Sequence, residues 1–255
     1  MKIGITTHNL NNKDFQEQLF SMLKHDVKPD FIIVHYAGIF KIIKYLRFFK
    51  KTVKQYRFKS LHFFFNFGKK KNSQSNYSLA SEEIITVNNF IKSCRIIKTN
   101  GINDASTIKR IKNLGESIIV CNSGILKARG LALPNVIFLN IHSSKLPEYR
   151  GMNNIEWTLW DNKEIYVTIH KISKAIDEGD ILYQEKIETE IVFLASIQNY
   201  RDYCFFKSNE IIGKAINRYV NNGLRFLGQE NKGNLLSQYY TMHPILKNIL
   251  NQKLG

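Results

Sequence analysis

The 255-residue sequence has only three cysteines, Cys94, Cys121 and Cys204, and they stand far apart. This number and spacing fit reduced thiols better than a disulfide framework or a zinc site. The sequence also has no long apolar run, so a transmembrane helix is not expected. The N-terminus lacks the long apolar core and small-residue cleavage site of a secretory signal. We therefore expect a cytoplasmic protein that begins with a strand at residues 2–7.

Acidic residues are scarce, because 21 Asp and Glu face 37 Lys and Arg, which gives a net charge of +16. The imbalance is greatest at residues 37–80, which hold eleven basic residues and no acid. Apolar residues recur there at helical spacing and predict a basic amphipathic helix at residues 39–56. Its function could be contact with a membrane or nucleic acid, or it could be a connecting helix with a solvated face. Abundant Lys, Asn and Ile also fit a compositional bias, so charge alone identifies no partner.

Apolar residues make up 44% of the sequence, which is enough for a substantial core. Continuous apolar runs typical of buried parallel strands occur at residues 31–36 and 117–121, and residues 14–25 show helical spacing. Strand, helix and strand at this spacing predict a βαβ unit. The predicted fold is therefore α/β, a Rossmann-like, open and mostly parallel sheet with flanking helices and a small C-terminal extension.

The expected organisation is a core at residues 1–190, which carries the ligand sites, and a C-terminal part at residues 191–255. Helical spacing at residues 194–222 predicts one long helix in this second part, and Asn221-Asn222-Gly223 ends it. A short extension with a terminal helix follows, and it could form a dimer interface.

The most informative pattern is Asn140-Ile141-His142, at the end of an apolar run. Alternate residues of a strand project from one face, roughly 6.6 Å apart. Asn140 and His142 are therefore expected on one side of the sheet's carboxyl edge, where open α/β sheets bind ligands. Asp177 lies in a predicted loop closed by Gly179, which can return a carboxylate to the same edge.

These three residue types suit the transfer of an acyl group to an amine. The Asn140 carboxamide can donate to the tetrahedral oxyanion, His142 can accept the amine proton, and Asp177 can support the charged histidine. No serine or cysteine stands in a nucleophile-elbow context, so direct transfer without an acyl-enzyme is preferred. Each residue alone could be an ordinary turn or strand-end residue. Their joint pattern favours the chemical interpretation.

Asn140–Gly151 resembles the signature of the folate-dependent formyltransferases, Asn-x-His-x-x-x-Leu-Pro-x-x-x-Gly. Asp177–Ile181 resembles that family's later Asp-x-Gly-x-Ile, and Thr168-Ile169-His170 also fits. The likeness covers residues 115–185 well and the N-terminal half weakly.

The resemblance implies that Asn140, His142 and Asp177 are the catalytic triad. It also implies 10-formyltetrahydrofolate as the formyl donor and no metal. The implied folate-binding residues are Cys121, Asn122, Ser123, Gly124, Ile125, Leu126 and Ile176. The implied substrate-binding residues are Tyr149, Arg150, Gly151 and Trp157. Ser143 and Lys145 depart from the usual family pattern, at positions that affect the rim of the site more than the triad.

Within this superfamily, the sequence is most like the bacterial sugar N-formyltransferases that act on nucleotide-linked amino sugars. Pro147–Gly151, Trp157, Trp160 and Gln238–Thr241 before Pro244 carry this likeness. The implied acceptor is an amino-dideoxysugar, with dTDP as the expected carrier, used in surface glycans such as the lipopolysaccharide O-antigen. A homodimer is expected, and no nucleic-acid partner. The sugar, its nucleotide (dTDP, UDP or GDP) and the formylated amine stay open.

Two alternatives also stay open. The charge would suit a methionyl-tRNA formyltransferase, which binds a polyanion, although that enzyme carries a larger C-terminal domain than the one expected here. A non-catalytic basic binding module is the other alternative, and the intact Asn140, His142 and Asp177 argue against it. A glycinamide ribonucleotide enzyme is disfavoured, because Thr6–Leu10 stands where that enzyme has a Gly-rich phosphate loop.

Overall fold

The computed structural model describes residues 1–35, 77–122, 125–189, 195–229 and 238–255. Three earlier predictions lie outside these ranges, namely the basic helix at residues 39–56 and the folate-binding residues Ser123 and Gly124.

Strands and helices alternate along most of the described chain. The strands are β1 (Lys2–Thr7), β2 (Phe31–His35), β3 (Arg95–Thr99), β4 (Ser117–Cys121), β5 (Val136–His142), β6 (Arg150–Gly151), β7 (Tyr166–Lys171), β8 (Ile181–Lys186) and β9 (Gln238–Tyr239). The helices of the described residues are α1 (Lys13–Lys24), α2 (Ser81–Ser93), α3 (Ala105–Lys112), α4 (Ala128–Leu131), α5 (Asn154–Trp160), α6 (Ile197–Asn221) and α7 (Pro244–Leu254).

Seven of these described strands form one sheet in the order β3-β2-β1-β4-β5-β7-β8. The first five are parallel, while β7 runs antiparallel to β5 and β8 runs antiparallel to β7. Helices flank this sheet, so the predicted α/β fold with an open, mostly parallel sheet is confirmed. The parallel strands place their carboxyl ends at one edge, and this edge carries the residues that were predicted to be functional.

The central strands are buried on both faces, as their continuous apolar runs predict. One face packs against α1 and α6, through the buried side chains of Ile5, Ile32, Val120, Phe15, Leu19, Ile212 and Ile216. The other face packs against α3, through Ile33, Ile97, Ile119, Phe138 and Ile111. Two cores therefore fix the sheet from both sides and hold its carboxyl edge in place.

Helices α1 and α6 approach each other closely at Gly213. A Cβ atom there would lie 2.0 Å from the carbonyl oxygen of Ser21, so only glycine allows this contact. The Ser21 hydroxyl also accepts a hydrogen bond from the Gly213 amide at 3.1 Å. Helix α6 therefore packs directly on the main core, and the division between residues 1–190 and 191–255 stays a prediction.

The C-terminal helix α7 packs near α5 and the start of α6. Ile197, Met242 and Leu250 form a small buried cluster there, with Trp157 and Trp160 against it. Among the described helices, none has both the length and the apolar character that crossing a membrane requires.

Most predicted elements are confirmed to within a few residues, but four short elements, α4, α5, β6 and β9, were missed. Helix α4 has four residues and α5 seven, which is too short for helical periodicity to show in a sequence. Helix α5 also begins after Asn153, whose φ is 53° and whose side chain makes no capping bond. The two-residue strands β6 and β9, which form a second small sheet, show no alternation for the same reason.

Candidate active site

Strands β5 and β7 bring four polar residues to the carboxyl edge of the sheet. Asn140 pairs with His170 and His142 with Thr168 in the antiparallel register. Asp177 lies in the loop that follows β7, with a carboxylate oxygen 3.6 Å from Nδ1 of His142. The structure therefore brings Asn140, His142 and Asp177 together, as the sequence pattern predicts.

The His142 ring is buried and its hydrogen bonds assign its tautomer. Nε2 lies 2.7 Å from the carbonyl oxygen of Tyr149, which can only accept, so Nε2 must carry a proton. Nδ1 faces Asp177. In the neutral ring Nδ1 is therefore the nitrogen that can accept a proton, and the resulting cation would have an acceptor at each nitrogen.

His170 orients the carboxamide of Asn140. Its Nδ1 lies 3.0 Å from the carbonyl oxygen of Lys171, so Nδ1 is the donor and Nε2 the acceptor. The Asn140 amide donates to that Nε2 at 3.2 Å. One N–H of Asn140 is thereby fixed, and the second N–H can point to a developing oxyanion.

Burial lowers the pKa of His170 to about 4, and the neighbouring His142 adds to this effect, while Asp177 opposes it. His170 is therefore neutral at physiological pH and can keep Nε2 as an acceptor. Burial likewise raises the pKa of Cys121 to about 12. The thiol at the end of β4 thus stays protonated and is not a thiolate nucleophile.

Asp177 is held in position from several directions. It adopts a left-handed conformation with φ 55°, and its carboxylate accepts the Gly151 amide at 2.9 Å. The Gln229 side chain donates to the carbonyl oxygens of Asp177 and Gly179, at 2.9 and 2.7 Å. A Cβ atom on Gly179 would lie 1.7 Å from the carbonyl oxygen of Lys171. Only glycine therefore lets this loop return to β7.

The predicted folate-binding residues that the structure describes lie at the end of β4 and beside Asp177. Ile125 and Ile176 are 86% and 57% exposed, which leaves apolar surface for a flat ring system. Leu126 is buried and packs in the core of the α3 face. The Asn122 amide nitrogen is buried and has no hydrogen-bond partner within the described residues. A polar ring edge could satisfy this donor.

The predicted substrate-binding residues form the other side of the site. Tyr149 is buried, stacks on Tyr239 with ring centroids 5.2 Å apart, and donates to Asp161. Arg150 forms an ion pair with Glu178, beside Asp177. Trp157 donates to the carbonyl oxygen of Tyr240 at 2.8 Å. Tyr149 and Trp157 thus support the segment that carries Tyr240, whose own ring is 71% exposed.

His142, His170 and Asp177 are also a group that could ligate a metal ion, since one ligand atom from each lies within 4.8 Å of the others. The Asn140 amide already donates to Nε2 of His170, however, and the Gly151 amide to the Asp177 carboxylate. An ion would have to displace the first of these hydrogen bonds. The present arrangement is better suited to moving protons than to holding a metal.

Sequence reasoning missed several residues that complete the site. The Thr168-Ile169-His170 tripeptide fits the family pattern, but the sequence assigns no role to His170. Gln229 has no local signal, because it reaches Asp177 from a distant segment. Ser144, which donates to the Tyr149 carbonyl oxygen at 2.8 Å, stood in the motif as an unassigned position. Asn154 was missed because α5 was not predicted.

Comparisons with known proteins identify the family of this chain. A family model described as formyl transferase matches residues 42–201, which is more than half of the chain. The chain belongs to the formyl transferase family. The resemblance seen in the sequence is thereby confirmed.

Individual members of the formyl transferase family are distant from this chain. Methionyl-tRNA formyltransferase of Methylacidiphilum infernorum is 37% identical over 95 residues, which cover 36% of this chain and 30% of that enzyme. A sugar N-formyltransferase from a Shewanella species is 15% identical, with a TM-score of 0.53 over 100% of this chain and 87% of that one. An N-formyltransferase from Helicobacter canadensis, solved with folinic acid and dTDP-3-aminofucose, is 18% identical, with a TM-score of 0.53 over 94% and 70%. At these identities the structural likeness concerns the fold.

Proposed function

We propose that the protein is an N-formyltransferase that moves a formyl group from 10-formyltetrahydrofolate directly to an amine. The observation that carries this proposal is the convergence of Asn140, His142 and Asp177 at the carboxyl edge of the sheet. Each has an assigned hydrogen-bonding role there, and the described residues beside them offer no activated thiol. A direct attack by the acceptor amine fits these groups.

In the proposed reaction the amine nitrogen attacks the formyl carbon, and the carbonyl oxygen becomes an oxyanion. The free N–H of Asn140 donates to this oxyanion, an effect worth about 100- to 1,000-fold in rate in known sites. His142 accepts the amine proton on Nδ1, and Asp177 stabilises the resulting cation. The bond between the formyl carbon and N10 of the folate then breaks, and N10 takes up a proton.

The formyl donor is consumed, so it is a substrate here. Ile176 supplies exposed apolar surface beside Asp177, and Ile125 supplies more after the carboxyl end of β4. Asn122 supplies a buried donor that has no partner among the described residues. Apolar faces with few polar groups are typical of sites for flat heterocycles. These residues would bind the pterin, together with the predicted residues Ser123 and Gly124.

The proposed acceptor is a nucleotide-linked amino-dideoxysugar, with dTDP as the expected carrier. In the β6–β9 pair, Gln238–Tyr239 lies beside Arg150–Gly151, and the Gly151 amide donates to Asp177. The exposed Tyr240 ring beside this pair can stack on a nucleobase. Sugar N-formyltransferases among the proteins of similar fold also support this choice. A role in surface-glycan biosynthesis and a homodimer belong to the same proposal.

The test is a mass-spectrometric assay of the purified full chain with 10-formyltetrahydrofolate. The acceptor panel holds dTDP-, UDP- and GDP-linked sugars with a 3-amino or a 4-amino group. We expect one of them to gain the mass of one formyl group. Conversion of none would exclude the sugar acceptor.

Methionyl-tRNA is the second candidate acceptor, favoured by the 37% identity to a tRNA enzyme and by the net charge of +16. This candidate predicts that methionyl-tRNA binds at low salt and that its affinity falls steeply as the salt concentration rises. Formylation of methionyl-tRNA in the same assay, with no sugar converted, would replace the first candidate by this one.

A further inference from the structure

Asn154 contacts His142 in an unusual way. Its amide nitrogen lies 3.1 Å from Nε2 and 3.4 Å from Nδ1 of the ring. An atom almost equidistant from both nitrogens cannot lie in the ring plane, because it would overlap a ring carbon. The Asn154 amide must therefore lie over one face of the His142 ring. The in-plane direction at Nε2 is already taken by the Tyr149 carbonyl oxygen.

The backbone that carries Asn154 is held in place without any ligand. The preceding residue, Asn153, donates to Glu156 at 2.7 Å and accepts the Met242 amide at 3.0 Å. Glu156 is 1% exposed and pairs with Arg201 of α6 and Lys247 of α7, at 2.8 and 3.1 Å. The start of α5 is thus tied to two other helices. Such support is what a preorganised functional side chain requires.

The carbonyl oxygen of the Asn154 amide makes no hydrogen bond to any described residue. The side chain is only partly buried, so this oxygen can face a ligand next to His142. An attacking primary amine brings two N–H groups to this place. His142 Nδ1 can accept a hydrogen bond from one N–H, and the second N–H then needs another acceptor.

We propose that Asn154 is a specificity-determining residue whose amide oxygen accepts the second N–H of the acceptor amine. Two acceptors, His142 Nδ1 and the Asn154 oxygen, then aim the nitrogen lone pair at the formyl carbon. The site therefore selects primary amines over secondary amines, because a secondary amine has only one N–H. This inference rests on the proposed transfer to an amine.

The hydrogen bond to Asn154 strengthens during the attack, because the amine nitrogen becomes positively charged. Losing it should therefore lower kcat/KM for the primary amine by about 10- to 100-fold, the range for hydrogen bonds to charged groups. Binding of the folate should not change.

The experiment compares the wild-type chain, Asn154→Leu and Asn154→Asp on a primary-amine acceptor and its N-methyl analogue. Leu has a similar size and no acceptor, whereas Asp keeps an oxygen at the same place. The matched control is Asn89→Leu, at an exposed position of α2 that is distant from Asn154 in the sequence. Folinic acid affinity reports the folate site in each variant, and Asn154→Ala replaces the leucine variant if that one does not fold.

We expect Asn154→Leu to lose activity on the primary amine and much of its preference over the N-methyl analogue, with unchanged folinic acid affinity. Asn154→Asp should recover most of the preference. An active wild type whose kcat/KM and preference survive Asn154→Leu and Asn154→Ala overturns this inference alone. A wild-type chain that formylates no amine at all overturns it together with the proposed function.

Discussion

The active-site edge has two regions of opposite character, which we name the floor and the rim. The floor is Asn140, His142, His170 and Asp177, held by hydrogen bonds between strands and loops. As the rim we define four large apolar side chains that follow β4, follow β6, precede Asp177 or follow β9, and these are Ile125, Met152, Ile176 and Tyr240, which are 57–86% exposed. The floor is closed and polar, whereas the rim is open and apolar.

This difference suggests separate roles, in which the floor carries out the reaction and the rim determines ligand specificity. On the proposed function, the floor moves protons, which needs groups fixed within hydrogen-bond reach. Its side chains are buried or partly buried, and their partners fix the tautomers of the two histidines. In the same proposal the rim recognises a ring, which needs free apolar surface such as these uncovered side chains supply. Changes in the floor should therefore affect kcat, and changes in the rim should affect KM.

The largest expected effect comes from His142→Asn. The variant removes the proposed proton acceptor of the floor and should lower kcat by about 100- to 10,000-fold. Folinic acid binding should be retained, because the rim is unchanged. Steady-state kinetics with calorimetric binding checks this. Equal losses of kcat and of folinic acid affinity would show that floor and rim are not separable.

Gly179→Ala should come next. The new Cβ would lie 1.7 Å from the Lys171 carbonyl oxygen, so the loop and Asp177 must shift. A displacement of this kind costs on the order of 100-fold in rate. The matched control is Gly228→Ala, where the nearest atom would lie 3.9 Å away. If both variants keep wild-type kcat, the loop does not position Asp177.

Lowering the pH should reduce the free energy of unfolding of the protein through His170. Its pKa falls from 6.5 to about 4 on folding because of burial, so the unfolded chain binds the proton more readily. The stability from this residue is complete above pH 6.5 and is lost as the pH falls through about 4. The loss is on the order of 3 kcal/mol of unfolding free energy.

Urea unfolding at pH 7 and pH 4 measures this loss. His170→Gln has no group that titrates there, so its stability should change less between the two pH values than that of the wild type. An identical pH dependence in both proteins would mean that His170 is not buried in its neutral form.

The smallest effect belongs to the rim. Tyr240→Ala removes an exposed ring and should raise KM for the nucleotide-linked acceptor by about 3- to 10-fold, the value of one aromatic contact. Its kcat should stay near that of the wild type. Phe205→Ala, an exposed aromatic on α6, serves as the control. A fall in kcat without a change in KM would place Tyr240 in the floor instead.

More of the floor than of the rim could be predicted from the sequence. The period of a strand places Asn140 and His142 on one face, and Gly179 marks a loop that returns. The role of His170 and the partners Gln229 and Asn154 could not be predicted, because these residues reach Asn140, His142 and Asp177 from separate elements whose register no local pattern reveals. Helix α5 and the β6–β9 pair were missed because they are too short to show periodicity in the sequence. The rim could not be predicted because it depends on which side chains stay exposed in the fold. Tyr149, for example, was expected to bind the substrate but is buried against the Tyr239 ring.

The central claim is direct transfer of a formyl group on the floor, without an acyl-enzyme. The most direct measurement follows a formyl label from 10-formyltetrahydrofolate in a single turnover, with the intact mass of the protein recorded at each time. We predict that the label passes to the acceptor amine in step with tetrahydrofolate formation and that the protein mass never changes. A label found on the protein, or on no amine while the donor is consumed, would contradict the account.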